Sequence, residues 1–303
     1  MDTPQAYDVV ILGTGPAGLQ AAIHAARKKV SVLVLGKETK SSLFHAHIEN
    51  FCCIFNVPGE EILNTGRQQA AGFGAQFLEE DVLSIIQQAK GFELQTESGA
   101  TIRTSALIIA TGTHRNRLGV KGEKEFIGKG VSYCVDCDGN FYKGQTVAVV
   151  GNESAAVDGA LTLTGIAAQV HLVCDRLDVS DALKTRMENS RVTIHAGKKV
   201  ARIQGDQEVE SLLLQDGVSI KVNGVFIELG AKGLLQLATT LGIALDDEMR
   251  YVRTDKGQAT NLPGIYAAGD ICGPPWQMAK AVGEGCVAGI NAAAFARGSN
   301  RSQ

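Results

Sequence analysis

With 303 residues, 45% of them hydrophobic, and a formal net charge of −3, the chain is long enough for one large domain or two ordinary ones with a full core. That charge offers nothing to a nucleic acid or an anionic membrane surface, and no apolar run is long enough to span a bilayer. Met1-Asp2-Thr3-Pro4 does not read as a signal peptide, and an odd count of seven scattered cysteines fits a reducing cytoplasm rather than a secreted disulfide framework.

The first strand is expected over 7–12. It runs into Gly13-Thr14-Gly15-Pro16-Ala17-Gly18, an alanine-rich helix over 19–27 and a second strand over 30–35. In that context G-x-G-x-x-G is a dinucleotide signature. Its glycines permit a tight turn and let the backbone approach a pyrophosphate at the positively polarised end of a helix. The acid expected after the second strand to hold a ribose is missing: Leu35-Gly36 stands there, and Glu38 is displaced from the place. His45 and His47 suit surface or capping roles. Cys52 and Cys53 are neighbours in sequence, an arrangement that seldom bridges.

A buried strand over 106–110 ends in the small-residue turn Ala110-Thr111-Gly112. Next comes the most informative motif, Cys134-Val-Asp-Cys137-Asp138-Gly139. A C-x-x-C is a redox pair or half a zinc site, and no second C-x-x-C or close Cys/His pair completes a zinc site, so a redox pair is expected and no metal. Asp138, beside the second sulfur, is placed to move a proton. A second strand–turn–helix–strand unit follows: a strand over 146–150, Gly151, a helix to 165 and a strand over 169–173. Far along the chain, a strand ending at Gly269-Asp270 and a helix from about Gln277 belong with the first half. Cys174 and Cys286 sit among apolar residues and suit core packing. The expectation is an α/β chain of two Rossmann-like, three-layer domains, the second inserted into the first. The outer domain is 1–113 with 235–303 and the insertion is 114–234, with linkers near 113–118 and 229–234.

Together Gly13-Thr-Gly-Pro-Ala-Gly18, Ile48-Glu-Asn50, Ala110-Thr-Gly112, Gly130-Val-Ser-Tyr-Cys134, Cys137-Asp-Gly139, Ala267-Ala-Gly-Asp270 and Gly285-Cys286 resemble the low-molecular-weight thioredoxin reductases across almost the whole chain. The resemblance implies a cytoplasmic homodimer that binds FAD in the outer domain and carries a redox disulfide in the insertion, acting on a thioredoxin-like protein. It implies that Gly13, Thr14, Gly15, Pro16 and Ala17 hold the FAD pyrophosphate. Asn50, Ala110, Thr111 and Gly112 would contact the middle of the cofactor, with Lys37 and Val82 completing the set. By the same resemblance Gly269 and Asp270 meet the ribityl chain, Gln277 and Met278 offer amides to the flavin ring, and Trp276 covers or stacks on a planar group. Cys137 would be the sulfur nearest the flavin, Cys134 the one that attacks the partner, and Asp138 the acid/base.

The family's inserted domain normally binds NADPH, and three departures stand against that here. The turn Gly-x-Gly-x-x-Ala is replaced by Gly151-Asn-Glu153-Ser-Ala-Ala156, with a carboxylate where a pyrophosphate would approach. The arginine cluster for a 2′-phosphate is reduced to Arg176 between Asp175 and Asp178. The Gly-x-x-Pro-Asn segment is Gly230-Ala-Lys-Gly233. On the flavin side, a Gly-Gly-Gln is Lys40-Ser41-Ser42, and an Arg is Trp276, the only tryptophan. The leading expectation is an FAD-dependent protein-disulfide oxidoreductase supplied by a ferredoxin or a second FAD in place of NADPH. The alternatives are a reductase of relaxed nucleotide choice, such as NADH, and a redox sensor without turnover.

Overall fold

The computed structural model describes residues 4–113, 117–230 and 240–301. These form two compact units, one of 4–96, 100–113 and 240–301, the other of 97–99 and 117–230. Residues 114–116 and 231–234 of the expected linkers lie outside the described residues.

In the first unit, β1 (Gln5–Leu12), α1 (Pro16–Arg27) and β2 (Val32–Leu35) are followed by the short pair β3 (His47–Ile48) and β4 (Val57–Pro58) and by α2 (Gly59–Gly72). Next come β5 (Gln76–Leu78), β6 (Val82–Gln87), β7 (Phe92–Thr96) and β8 (Thr101–Ile109). Parallel strands run in the order β5-β2-β1-β8, and β7 and β6 extend the sheet antiparallel from β8. Val9–Leu12, Val32–Leu35 and 106–109 are buried throughout, because a parallel strand covered on both faces needs an unbroken apolar run. The first helix begins at Pro16, three residues before the expected start, since a proline at the first helical position has no amide to lose. The second strand begins at Val32, two residues later than expected.

The second unit holds β9 (Val131–Ser132), α3 (Val135–Asp138), β10 (Thr146–Val150), α4 (Ser154–Leu163), β11 (Gln169–Cys174), α5 (Asp181–Glu188) and β12 (Thr193–Ala196). It continues with β13 (Val200–Gly205), β14 (Val209–Leu214), β15 (Ser219–Lys221) and β16 (Gly224–Ile227). Its parallel sheet runs β12-β11-β10-β16-β9, and β13-β14-β15 form a separate antiparallel sheet. The chain then returns to the first unit, where β17 (Ile265–Ala267) pairs in parallel with the end of β8 and α6 (Met278–Arg301) packs on α1. Both units are Rossmann-like α/β folds.

Contact between α1 and α6 is backbone-close. Ala17 and Ala21 face Gly285 and Gly289, each pair four residues apart and so on one helical face. A Cβ on Gly285 would lie 2.2 Å from the Ala17 carbonyl oxygen, and one on Gly289 2.3 Å from that of Ala21. Neither oxygen can move without moving α1, which carries the glycine-rich turn. Gly289→Ala is therefore expected to destabilise the protein by about 2 kcal/mol through overpacking, read as a lowered midpoint in urea.

In the second unit His171 Nδ1 and His195 Nε2 are 3.0 Å apart on adjacent strands. Burial first, then the neighbouring positive charges, lowers both pKa values from 6.5. The unfolded chain takes up these protons near pH 6.5 and the folded chain only at lower pH. Their contribution is thus complete above that value and is lost as pH falls through the folded pKa values. Thermal stability is expected to drop between pH 7 and pH 5, with a shallower slope in His195→Gln, checked by melts across that range.

Candidate active site

The redox motif grows from the edge of the second unit's parallel sheet. β9 ends at Ser132, and Cys134, in extended conformation, caps the short helix α3 by accepting the Cys137 N–H on its sulfur at 3.1 Å. Cys134 and Cys137 form a disulfide with Cα atoms 5.3 Å apart. Cys134 is buried and Cys137 half-buried. The Ser132 hydroxyl donates to Asp138 Oδ2 at 2.7 Å and its oxygen accepts the Cys134 N–H at 3.1 Å, tying the carboxylate to the peptide of the first cysteine. Tyr133 donates to Glu123 at 2.8 Å, and burial, then that bond, pushes its hydroxyl up to about 12. Buried Glu123 also accepts the N–H groups of Leu118 and Gly119, so one carboxylate pins three points around the motif. On the far side, buried Glu228 accepts the Val135 N–H at 3.0 Å. Sequence reasoning missed Ser132, Glu123 and Glu228. The available signal for Glu228 was a single charge directly after the buried run Gly224–Ile227.

In the first unit the expected cofactor residues gather at the carboxyl ends of three neighbouring parallel strands. Gly13 follows β1, Ala110, Thr111 and Gly112 follow β8, and Gly269 and Asp270 follow β17. Ligands bind in such a crevice in open α/β sheets. Gly13 has φ +116°, and a Cβ on it would lie 2.2 Å from the Ala110 carbonyl oxygen. Gly15 caps α1 without a side chain, Thr14 is buried beside it, and Pro16 and Ala17 open the helix with no acid in its first turn. The first amides of a helix lack acceptors within it and carry a partial positive charge, so this cradle fits a pyrophosphate.

Other expected residues are placed around it. Asn50 donates to the Gln277 side chain at 2.9 Å across 227 residues of sequence. Met278 opens α6 and packs against the Leu19, Leu43, Ile48 and Leu63 cluster. The Gly269 N–H donates to Glu284, whose carboxylate pairs with Lys280 at 2.9 Å, and Lys280 donates to the Gly269 carbonyl. Lys37 pairs with Asp81 at 3.6 Å, and Val82 opens β6 beside it. Glu38, displaced from the ribose position, pairs with Arg67 at 3.5 Å. Trp276 is 58% exposed.

The turn after β10 repeats this backbone but not its charge. Gly151 has φ +154°, and a Cβ there would meet the Glu228 carbonyl oxygen at 2.0 Å. Glu153 caps α4 where Gly15 caps α1, and the Ala155 N–H already donates to the Gly230 carbonyl at 3.3 Å. Asp175, Arg176 and Asp178 are exposed beyond β11. A carboxylate at the helix start and a partnered amide do not fit a pyrophosphate. Of the third departure, Gly230 is described and 231–233 lie outside the described residues.

Residues 7–285 match the family model described as pyridine nucleotide-disulphide oxidoreductase. A thioredoxin reductase of Listeria innocua is 36% identical over 298 residues, covering 94% of this chain and 92% of the relative. The chain belongs to the thioredoxin reductase family. It is thus an FAD-dependent disulfide oxidoreductase. Among solved structures, an atypical thioredoxin reductase from Desulfovibrio vulgaris Hildenborough superposes with a TM-score of 0.84 at 34% identity, covering 96% of this chain and 98% of that one. A ferredoxin-flavin thioredoxin reductase from Clostridium acetobutylicum gives 0.71 at 32% identity, covering 96% and 98%.

The remaining cysteines are free thiols. Cys52 and Cys53 are exposed, with sulfurs 3.5 Å apart in thiol hydrogen-bond contact and no disulfide between them. Cys174 is buried as expected, whereas Cys286 is only half-buried, on the α6 face beside Gly285. Burial raises the Cys174 thiol and pushes Cys272 up to about 12. Alkylation of the oxidised protein at neutral pH is expected to label Cys52 and Cys53 first and Cys174 and Cys272 only on unfolding, as peptide mass mapping would show.

Proposed function

We propose that this enzyme passes electrons between FAD, the Cys134–Cys137 disulfide and a thioredoxin-like protein, with an electron source other than NADPH. The observation that carries the reading is Glu153 at the start of α4, the position that Gly15 leaves bare in α1. A carboxylate there opposes a bound pyrophosphate by an amount on the order of 1 kcal/mol or more. The exposed acids beside Arg176 remove the support a 2′-phosphate needs. A ferredoxin is the favoured donor, in keeping with the similarity to the ferredoxin-flavin thioredoxin reductase of Clostridium acetobutylicum. A second FAD is the other reading, favoured by the exposed indole of Trp276, which offers a face for a planar ring.

When bound, the flavin would supply a two-electron carrier for the disulfide. The chain's own residues do the rest. Once reduced, the Cys134 thiolate attacks the partner disulfide, Cys137 resolves the mixed disulfide, and the partner leaves with two electrons and two protons. Cys134 is buried and must be uncovered first. Asp138, oriented by Ser132, takes and returns the proton at its carboxylate. Phe141, 79% exposed and four residues past Cys137, offers the partner an apolar contact.

Stoichiometric NADPH or NADH is expected to leave the flavin absorbance unbleached under anaerobic conditions, while dithionite bleaches it. Prompt bleaching by either nucleotide would overturn the reading. Cys134→Ser and Cys137→Ser are each expected to lower disulfide turnover by on the order of 10³-fold or more with flavin retained.

A further inference from the structure

We propose that Cys52 and Cys53 form a second thiol site, separate from the redox disulfide, that captures trivalent arsenic by bonding one arsenic atom to both sulfurs. The proposal rests on the free thiols of this turn and not on which donor reduces the flavin.

The two cysteines stand at the corner of a tight turn between β3 and β4. The Ile54 N–H donates to the Phe51 carbonyl at 3.0 Å, and Cys52 and Cys53 are the two residues enclosed. Cys53 has φ +70°, the left-handed region that a glycine or asparagine usually fills in turns. The ends of the turn are anchored, since Phe51 and Ile54 pack on the Leu19, Leu43, Ile48 and Leu63 cluster. Further out, His47 Nε2 lies 2.7 Å from Asn56 Oδ1, which ties the two sides of the hairpin together. The corner itself is open: both cysteines are exposed and free, with sulfurs 3.5 Å apart. Two thiols are thus held side by side before any ligand arrives, so little ordering remains to be paid on binding.

The spacing selects the ligand. Two bonds of about 2.3 Å, the length of a zinc–thiolate bond, span 3.5 Å at an angle of about 100°. That is the pyramidal geometry of trivalent arsenic, which takes two sulfurs and keeps one further substituent. A linear two-coordinate ion would need the sulfurs about 4.6 Å apart at the same bond length. Zinc takes four ligands, and among the described residues no group of three or more histidine, cysteine or acidic side chains could hold a metal ion. A direct disulfide is opposed by the chain itself, because neighbouring Cα atoms are about 3.8 Å apart across a trans peptide and a relaxed disulfide needs about 4.4 Å or more. Capture is a condensation. An arsenical R–As=O and two thiols form two As–S bonds, the As=O bond breaks, and the oxygen leaves as water with both thiol protons. No electron is transferred and arsenic stays trivalent. Cys134 and Cys137, joined as a disulfide, offer the reagent no thiol in the oxidised enzyme.

The test is titration of the oxidised, flavin-loaded enzyme with phenylarsine oxide, read by intact mass and peptide mapping. One phenylarsenic unit per chain is expected at equimolar probe, with Cys52 and Cys53 both protected from alkylation afterwards. The adduct should resist excess mercaptoethanol and yield to dimercaptopropanol, because a chelated atom that loses one sulfur is still held by the other. Cys52→Ser and Cys53→Ser are each expected to lower the mercaptoethanol concentration that strips half of the probe by on the order of 100-fold. Cys53→Gly suits the positive φ, so it removes the thiol while keeping the turn, and should match the serine variants. An adduct that maps to other cysteines, one that the single variants hold as firmly as wild type, or one that mercaptoethanol strips from wild type would overturn the proposal. So would an isolated enzyme in which Cys52 and Cys53 are already joined to each other. No nucleotide or ferredoxin enters this measurement, so it can fail without affecting the reading of the electron source, and the reverse.

Discussion

At the carboxyl end of its central strands each unit brings two backbone segments closer than any side chain permits. Gly13 lies against the Ala110 carbonyl and Gly151 against the Glu228 carbonyl, both at positive φ, with an ideal Cβ 2.2 and 2.0 Å from the facing oxygen. These approaches lock β1 beside β8 and β10 beside β16. They also start α1 and α4 at a fixed place over the strand ends. A third close approach, Gly285 and Gly289 on Ala17 and Ala21, holds α6 on α1 and so carries Gln277 and Met278 to the same edge as the glycine-rich turn.

Given that common frame, the two helix starts differ in charge at the capping position, where Gly15 is matched by Glu153. The start of α1 presents bare, partly positive amides, and that of α4 presents Glu153. A helix end attracts an anion through fixed partial charges amounting to about half an elementary charge, so a carboxylate at that end works against a second anion. The fold of a nucleotide domain is kept because strand pairing and glycine crowding do not depend on that side chain. Family membership and the Rossmann-like fold therefore leave the electron source open, and the charge at the helix start is what bears on it.

In the second unit the cysteine pair is surrounded by carboxylates of different accessibility. Glu123 serves the chain entering the motif, Glu228 holds α3 from behind, and Asp138 is the half-buried one, reached by a serine hydroxyl. Burial separates their roles. Glu123 and Glu228 are enclosed and hold main-chain amides, whereas Asp138 is partly open to solvent.

The amino-acid sequence by itself determined the strand–turn–helix units, the C-x-x-C pair, the family and the presence of Glu153 in the second turn, because each is a local pattern of glycines, apolar runs, spaced cysteines or a single charge within such a turn. Helix starts shifted by a few residues where Pro16 could begin a helix that the alanine pattern did not mark. Only the tertiary structure decided that Asn50 meets Gln277, that Glu38 pairs with Arg67 instead of standing at the ribose position, that Ser132 orients Asp138 and that Glu228 supports Val135. Three of these four pairings join residues from 29 to 227 positions apart. A polar side chain in a sequence has many potential partners, and the packing of strands and helices around it leaves one within reach.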